Sequence, residues 1–241
     1  MTTVFLSDIH ISDESPEISI RLKEFLLEEE SKTNTIYILG DLFEYWLGDD
    51  DPNPSFAEIR NLLKKLSDNN ISLFFIHGNR DFLIGESFAE ETGCRILHDP
   101  HVIDLYGKKA LISHGDIFCT DDQEYQLFRN QTRDPDWKNS ILSEPLSFRR
   151  DFAKQARLES SEYTSSMKNE IMDVNKDEIL KMYEKYNVDI IIHGHTHRPA
   201  IHDIFFNGRK YQRIVLGDWY EQGSILRCSE KGFDLIQLER K

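Results

Sequence analysis

Five short apolar runs in this chain each end in residue types that bind metal ions. Phe5-Leu6-Ser7 leads into Asp8-Ile9-His10, Ile38-Leu39 into Gly40-Asp41, and Phe75-Ile76-His77 into Gly78-Asn79-Arg80-Asp81. Farther along, Leu111-Ile112-Ser113 leads into His114-Gly115-Asp116, and Ile191-Ile192-His193 into Gly194-His195-Thr196-His197. A mixture of carboxylate, imidazole and amide donors suits Mn²⁺, Fe or Zn²⁺ better than Ca²⁺ or Mg²⁺, which prefer all-oxygen shells. The seven candidate ligands, Asp8, His10, Asp41, Asn79, His114, His195 and His197, are too many for one tetrahedral ion. They suffice for two ions that share a carboxylate at the roughly 3.5–4 Å separation of two-metal hydrolases. Taken singly, an Asp-x-His or a Gly-Asp is a common turn, and a lone buried His is usually a hydrogen-bonded core residue. Their recurrence in order, each behind an apolar run, is what points to a metal centre. His77 and His193 precede glycines and alternate away from the ligands, so they read as supporting or core side chains. His98, His101 and His202 fall outside the pattern and read as surface or structural.

Such clusters converge only if strands bring them together. β-rich runs at Thr3–Ser7, Thr35–Leu39, Ser72–Ile76, Ala110–Ser113, Asp189–His193 and Gln212–Leu216 alternate with amphipathic stretches. This is the pattern of an α/β sheet covered by helices, whose strand carboxyl ends lie side by side where ligands bind. Ser15-Pro16 predicts an N-cap and a first helical residue, with Ile18, Leu22, Phe25 and Leu26 on one face. A second helix is expected from about Pro54, burying Phe56, Ile59, Leu63 and Leu66 and broken by Asp68-Asn69-Asn70. After Gly208 the chain turns to strands without helices, Ser224–Cys228 and Phe233–Leu238. No internal repeat or linker divides it, so the 241 residues are expected to form one domain.

The stretch from about Asp121 to Lys185 interrupts the alternation and reads as a mainly helical insertion. Trp137, Ile141, Leu142, Leu146, Phe148 and Phe152 are interleaved there with basic residues. These aromatics suit either a cover over the site or the core of two packed helices. Between Arg129 and Arg157 seven basic residues face four acidic ones, a local +3 in a chain of net charge −14. The overall acidity argues against a non-specific nucleic-acid binder, which uses Lys and Arg to displace phosphate counterions. Cys94, Cys119 and Cys228 are dispersed and form no CxxC pair, which excludes a disulfide framework or thiolate zinc site and suits a reducing compartment. No signal segment or long apolar run is evident, so neither secretion nor a membrane span is expected.

The ordered set Asp8-x-His10, Gly40-Asp41, Gly78-Asn79, His114 and Gly194-His195-x-His197 resembles the calcineurin-like metallophosphoesterase superfamily. Longer stretches are similar to its UDP-2,3-diacylglucosamine pyrophosphohydrolase family: Tyr37-Ile38-Leu39-Gly40-Asp41-Leu42-Phe43-Glu44, Gly48-Asp49-Asp50-Asp51-Pro52-Asn53-Pro54, Ile76-His77-Gly78-Asn79-Arg80-Asp81-Phe82-Leu83 and Ile171-Met172-Asp173-Val174-Asn175. The resemblance implies two packed mixed β-sheets flanked by helices, with a helical lid at about residues 121–185. It implies two Mn²⁺ ions, one on Asp8, His10, Asp41 and His197 and the other on Asp41, Asn79, His114 and His195. The implied substrate contacts are Asn79, Arg80, Asp122, Arg157, Ser160, Thr164, Met167, Lys168 and His195. Thr164 stands where the family has Asn and Met167 where it has Lys, with Lys168 beside it.

The activity implied is attack of water on the α-phosphorus of UDP-2,3-diacylglucosamine in lipid A biosynthesis, at the cytoplasmic face of a bacterial inner membrane, with no nucleic-acid or obligate protein partner. Arg80 has its own chemistry. A phosphoanhydride expels a good leaving group without a proton, so a fixed positive charge on the diphosphate is useful there, the alternative being a structural pair with Asp81. Another phosphodiesterase or nucleotide-sugar hydrolase of the superfamily is the rival activity. A scaffold without catalysis is expected to lose ligands, and all seven are present.

Overall fold

In a computed structural model of the chain, the residues described are 1–166, 173–220 and 223–238. Period-two burial builds the first half. In strand β1, Thr3–Leu6, all four residues are buried; Val4 and Leu6 face one layer of core and Phe5 another. Helix α1, Pro16–Glu29, crosses to β2, Thr35–Ile38, and helix α2, Pro54–Asp68, to β3, Ser72–Ile76. Ile18, Leu22, Phe25 and Leu26 of α1 and Phe56, Ile59, Leu63 and Leu66 of α2 are buried as their spacing requires. Ser15 precedes α1, but its side chain makes no capping bond, so Pro16 alone marks the start. Asn53 caps α2, accepting from Ser55 N at 2.9 Å.

A short helix α3, Glu86–Thr92, then leads to edge strand β4, Cys94–Leu97, and on to the hairpin of β5, His101–Leu105, and β6, Lys108–Ser113. Helices α4, Gln123–Arg133, α5, Pro135–Ser143, and α6, Leu146–Ser166, form the insertion, and α7, Lys176–Tyr186, precedes β7, Ile190–His193. Strands β8, Ala200–Phe206, β9, Arg209–Val215, β10, Ser224–Ser229, and β11, Gly232–Gln237, complete two sheets. One has the order β11-β10-β1-β2-β3-β4 and the other β5-β6-β7-β9-β8. They pack face to face through Phe5, Leu39 and Ile76 on one side and Ala110, Ile112, Ile190, Ile192 and Ile214 on the other.

The outer faces are covered by α1 and α2 on the first sheet and by α7 on the second, where Ile179, Met182 and Tyr183 meet Leu111 and Ile191. Although α7 lies inside the expected insertion, its apolar face makes it a layer of the sandwich. The five loaded strand ends come from both sheets, β1, β2 and β3 from one and β6 and β7 from the other. Each set is internally parallel, so their carboxyl ends open on one edge. The three cysteines are free and buried.

Candidate metal centre

At this edge the backbone leaves the strands in a conformation that side chains normally avoid. Asp8, His10, Asp41, His195 and His197 have φ between 53° and 67°, a left-handed state that costs about 1–3 kcal/mol at a non-glycine residue. Cross-loop hydrogen bonds hold it: Asp8 N to Gly40 O at 3.1 Å, His10 N to Asp41 O at 2.9 Å, and His195 N to Asp8 Oδ2 at 2.9 Å. The loops also touch backbone to backbone. A Cβ at Gly78 would lie 2.0 Å from Asp41 Oδ1, so only glycine admits the Asp41 carboxylate there.

The side chains converge accordingly. Asp41 Oδ2 lies 3.8 Å from His10 Nε2 and 3.8 Å from His114 Nε2. Asn79 Oδ1 is 2.9 Å from His114 Nε2 and 3.0 Å from His195 Nδ1, and His197 Nε2 is 3.3 Å from Asp8 Oδ1. The donor atoms of Asp8, His10 and His197 lie within 4.8 Å of one another, as do those of Asp8, Asp41 and His114. All seven predicted ligands therefore meet in one place. They fit a divalent ion chemically: His10 Nε2 is buried without a hydrogen-bond partner among the described residues, and His114 Nδ1 donates to Leu39 O at 2.9 Å, so Nε2 is the nitrogen that an ion would take in place of its proton.

The local field is strongly negative. Burial pulls the His114 imidazole down, yet Asp41, Asp8 and Asp116 push it up to about 9. Burial would raise the Asp8 carboxyl, but His197, His114 and His10 hold it well below the carboxylate range. Asp81 is pushed up to about 6 by burial and by the charge of Asp41. Its carboxylate accepts from Gly78 N and Leu42 N, both at 2.8 Å, so it ties the two loops together and is engaged by backbone amides rather than by Arg80. His77 and His193 take the supporting places expected of them. His77 Nε2 lies 2.7 Å from Ile84 O, and His193 Nδ1 lies 2.8 Å from Gly194 O.

A cleft of about 620 Å³ runs from Asn79 and Arg80 under the insertion. Arg157 and Ser160 line it; Asp122 does not, because its buried carboxylate caps α4 through Tyr125 N at 3.0 Å and accepts from Tyr163 Oη at 2.8 Å. Thr164 lies on α6, but its side chain, like Met167, Lys168, Ile171 and Met172 entirely, is outside the described residues. Of the aromatic and aliphatic residues singled out in the insertion, Ile141 and Phe152 line the cleft. Trp137 packs between Phe82 and Phe152, while Leu142 and Phe148 are exposed. The helical period explains this: Arg149, Phe152, Ala153, Ala156, Arg157 and Ser160 share the face of α6 that looks into the cleft, with Arg150, Lys154 and Glu159 at its margins, and Phe148 falls off it.

Two groups escaped the sequence reading. Glu44, buried three residues after Asp41, lies 2.9 Å from His10 Nδ1. Asp116, two residues after His114, is fully buried against Arg129 Nε at 3.0 Å, Arg133 at 3.5 Å and Tyr125 Oη at 2.9 Å. Arg149 likewise binds Asp50 and Leu47 O. Much of the insertion's positive charge is thus engaged by carboxylates and carbonyls of the protein itself. Their closeness in sequence to a predicted ligand was the available signal in both cases, but their burial was not legible there.

The family model of calcineurin-like phosphoesterases matches residues 1–199. A UDP-2,3-diacylglucosamine hydrolase of Stenotrophomonas maltophilia is 48% identical over 248 residues, covering 100% of both chains. Hydrolases of the same name are 46% identical over 245 residues in Xanthomonas axonopodis pv. citri, covering 99% of each chain, and 44% identical over 235 residues in Cellvibrio japonicus, covering 98% of each.

Proposed function

The chain belongs to the calcineurin-like phosphoesterase family, and from that premise we propose that it hydrolyses UDP-2,3-diacylglucosamine to UMP and 2,3-diacylglucosamine 1-phosphate in lipid A biosynthesis. The observation that carries this reading is that the cleft shares Asn79 with the metal-ligand cluster and combines charged side chains, Arg80, Arg150, Lys154 and Arg157 among them, with the apolar Trp46, Phe82, Phe128, Ile141 and Phe152. A diphosphate flanked by acyl chains has that polarity. A phosphodiesterase for small soluble esters has no use for the apolar length.

Asp8, His10, Asp41 and His197 would hold one Mn²⁺ and Asp41, Asn79, His114 and His195 the other. Asp41 suits the shared position because one oxygen stands equally far from His10 and His114. When bound, such a pair supplies Lewis-acid stabilisation of the phosphoryl oxygens and activates water for in-line attack on the α-phosphorus. Arg80 stands over the cleft end nearest the cluster, and its amide donates to Asp41 Oδ1 at 2.8 Å, which fixes the start of its side chain. Its charge offsets that developing on the leaving phosphate, so no general acid is required.

Reversible attachment to the cytoplasmic face of the inner membrane follows as part of this reading. Leu127, Leu142, Phe148 and Leu158 of the insertion are exposed, and the same insertion carries a local excess of basic residues, a combination suited to an anionic lipid surface. No described helix is long and apolar enough to cross a membrane. The test is incubation of the purified protein with Mn²⁺ and the diacyl substrate in ¹⁸O-water. Label in UMP is expected; label in the lipid phosphate would reverse the attacked phosphorus, and absence of turnover would favour another phosphodiester substrate.

A further inference from the structure

Glu44 is 4% exposed, and a carboxylate so buried must be satisfied by partners. Its two oxygens serve different parts of the molecule. Oε2 lies 2.9 Å from His10 Nδ1 and 3.3 Å from Tyr220 Oη, whose ring stacks on His10 with centroids 5.0 Å apart and planes 14° apart. Oε1 lies 3.2 Å from Arg157 Nε on α6. The first oxygen stands within ion-pair reach of His10 Nδ1 without a formed hydrogen bond, and its charge favours the tautomer with the proton on that nitrogen, which leaves Nε2 on the Asp41 side. The second reaches the helix that forms one wall of the cleft.

We propose that Glu44 is a positioning residue that ties α6 to the His10 end of the metal centre, so that ion binding and closure of α6 over the cleft favour each other. The inference rests on the metal reading above. If α6 moves away, Glu44 loses Arg157 and keeps a buried negative charge beside His10, freeing the imidazole to shift toward that carboxylate. An ion taken by His10 Nε2 would keep the proton on Nδ1, where Oε2 is the near acceptor, and leave Oε1 for Arg157. Coupling of this kind is reciprocal by linkage: whatever closure adds to ion affinity, ion binding adds to closure. Arg157 also reaches the exposed Glu14 at 3.2 Å, but that contact is solvated on both sides and gives the helix no link to the centre.

Glu44→Gln separates the two halves, because an amide has one acceptor oxygen and can accept from His10 or from Arg157, not from both. Mn²⁺ is titrated by calorimetry into metal-free wild type, Glu44→Gln and Arg157→Leu, and amide hydrogen exchange along α6 is followed with and without Mn²⁺. Glu44→Gln is expected to weaken one of two Mn²⁺ equilibria by about 10–100-fold, the range for partners that orient a ligand. Mn²⁺ is expected to slow exchange in α6 of the wild type and to leave it unchanged in both variants. Wild-type Mn²⁺ affinity in Glu44→Gln, or undiminished slowing of α6 in Arg157→Leu, would overturn the proposal. Should Glu44→Gln not fold, Arg157→Leu, at a half-exposed site, decides alone by its exchange. A wild type that binds no Mn²⁺ would instead overturn the metal reading itself.

Discussion

The amide of Arg80 donates to Asp41 Oδ1 at 2.8 Å, while the other oxygen of that carboxylate points between His10 and His114. Asp41 is therefore clamped by one atom and presented by the other. Asp41→Asn keeps a residue that tolerates the left-handed backbone at φ 53° and keeps the acceptor for Arg80. What it removes is the charge and the bridging capacity. Turnover should fall by about a thousandfold or more, since the ions contribute several kcal/mol of charge stabilisation. Metal analysis should show loss of both ions with the circular dichroism of the folded protein retained. Two ions still bound to Asp41→Asn would refute the shared-ligand assignment, and chelation of the wild type should reproduce the loss reversibly.

Because Asp81 is engaged by Gly78 and Leu42 amides, Arg80 is free of the structural pairing that its sequence neighbour suggested. Arg80→Ala should lower kcat/KM on the lipid diphosphate by about 10²–10³, the range for loss of one charge-stabilising group. An activated aryl phosphodiester, which lacks a second phosphate, should lose much less. Equal losses on both substrates would assign Arg80 to folding, and unchanged melting temperature is the accompanying expectation.

The convergence of the candidate ligands was legible because its signal is local: an apolar strand followed at once by a residue type that binds metal. The helices α1 and α2 were equally legible, since period-3.6 patterns such as Phe56, Ile59, Leu63 and Leu66 map directly onto burial. Edge elements were not. In β4 Arg95 and in β8 His202-Asp203 break the apolar sequence, so neither strand is apolar along its whole length as β7 nearly is. Partition of the five clusters between two sheets was also hidden, because adjacency of strands is a tertiary fact. Glu44 and Asp116 were missed for a related reason. Nothing in a sequence distinguishes a solvated carboxylate from one buried against an Arg supplied by a helix many residues away.

Asp116 makes that distinction measurable. It joins the loop after β6 to α4 through Arg129, Arg133 and Tyr125, and Arg133 in turn donates to Gly78 O at 2.9 Å. Asp116→Ala leaves two largely buried guanidinium groups without their shared carboxylate, so stability should fall by about 3–5 kcal/mol. Urea denaturation of the metal-free protein measures this without interference from ion loss. A change under about 1 kcal/mol, the usual range for a surface pair, would mean that water replaces the carboxylate and the clamp is dispensable.

Phe148 and Phe152 sit four residues apart on α6 yet meet different surroundings, which makes them a matched pair for testing the insertion. Phe152 lines the cleft and lies 5.8 Å from the Trp137 ring, whereas Phe148 is 50% exposed. Phe152→Ser removes apolar surface from the cleft, and KM for the diacyl substrate should rise about tenfold, the equivalent of roughly 1.4 kcal/mol of lost contact. Hydrolysis of a short soluble diester should change little, because only remote binding energy is removed. Its melting temperature should drop modestly, since the ring also packs on the core. Phe148→Ser should leave stability and both reactions in free solution near wild type, and should reduce sedimentation with anionic vesicles, where an exposed ring on a basic insertion adds to attachment. If Phe148→Ser instead lowers stability and both activities together, the ring is core and the membrane-facing reading of this surface fails. If Phe152→Ser leaves KM for the diacyl substrate unchanged, the acyl chains lie elsewhere than along the α6 wall of the cleft.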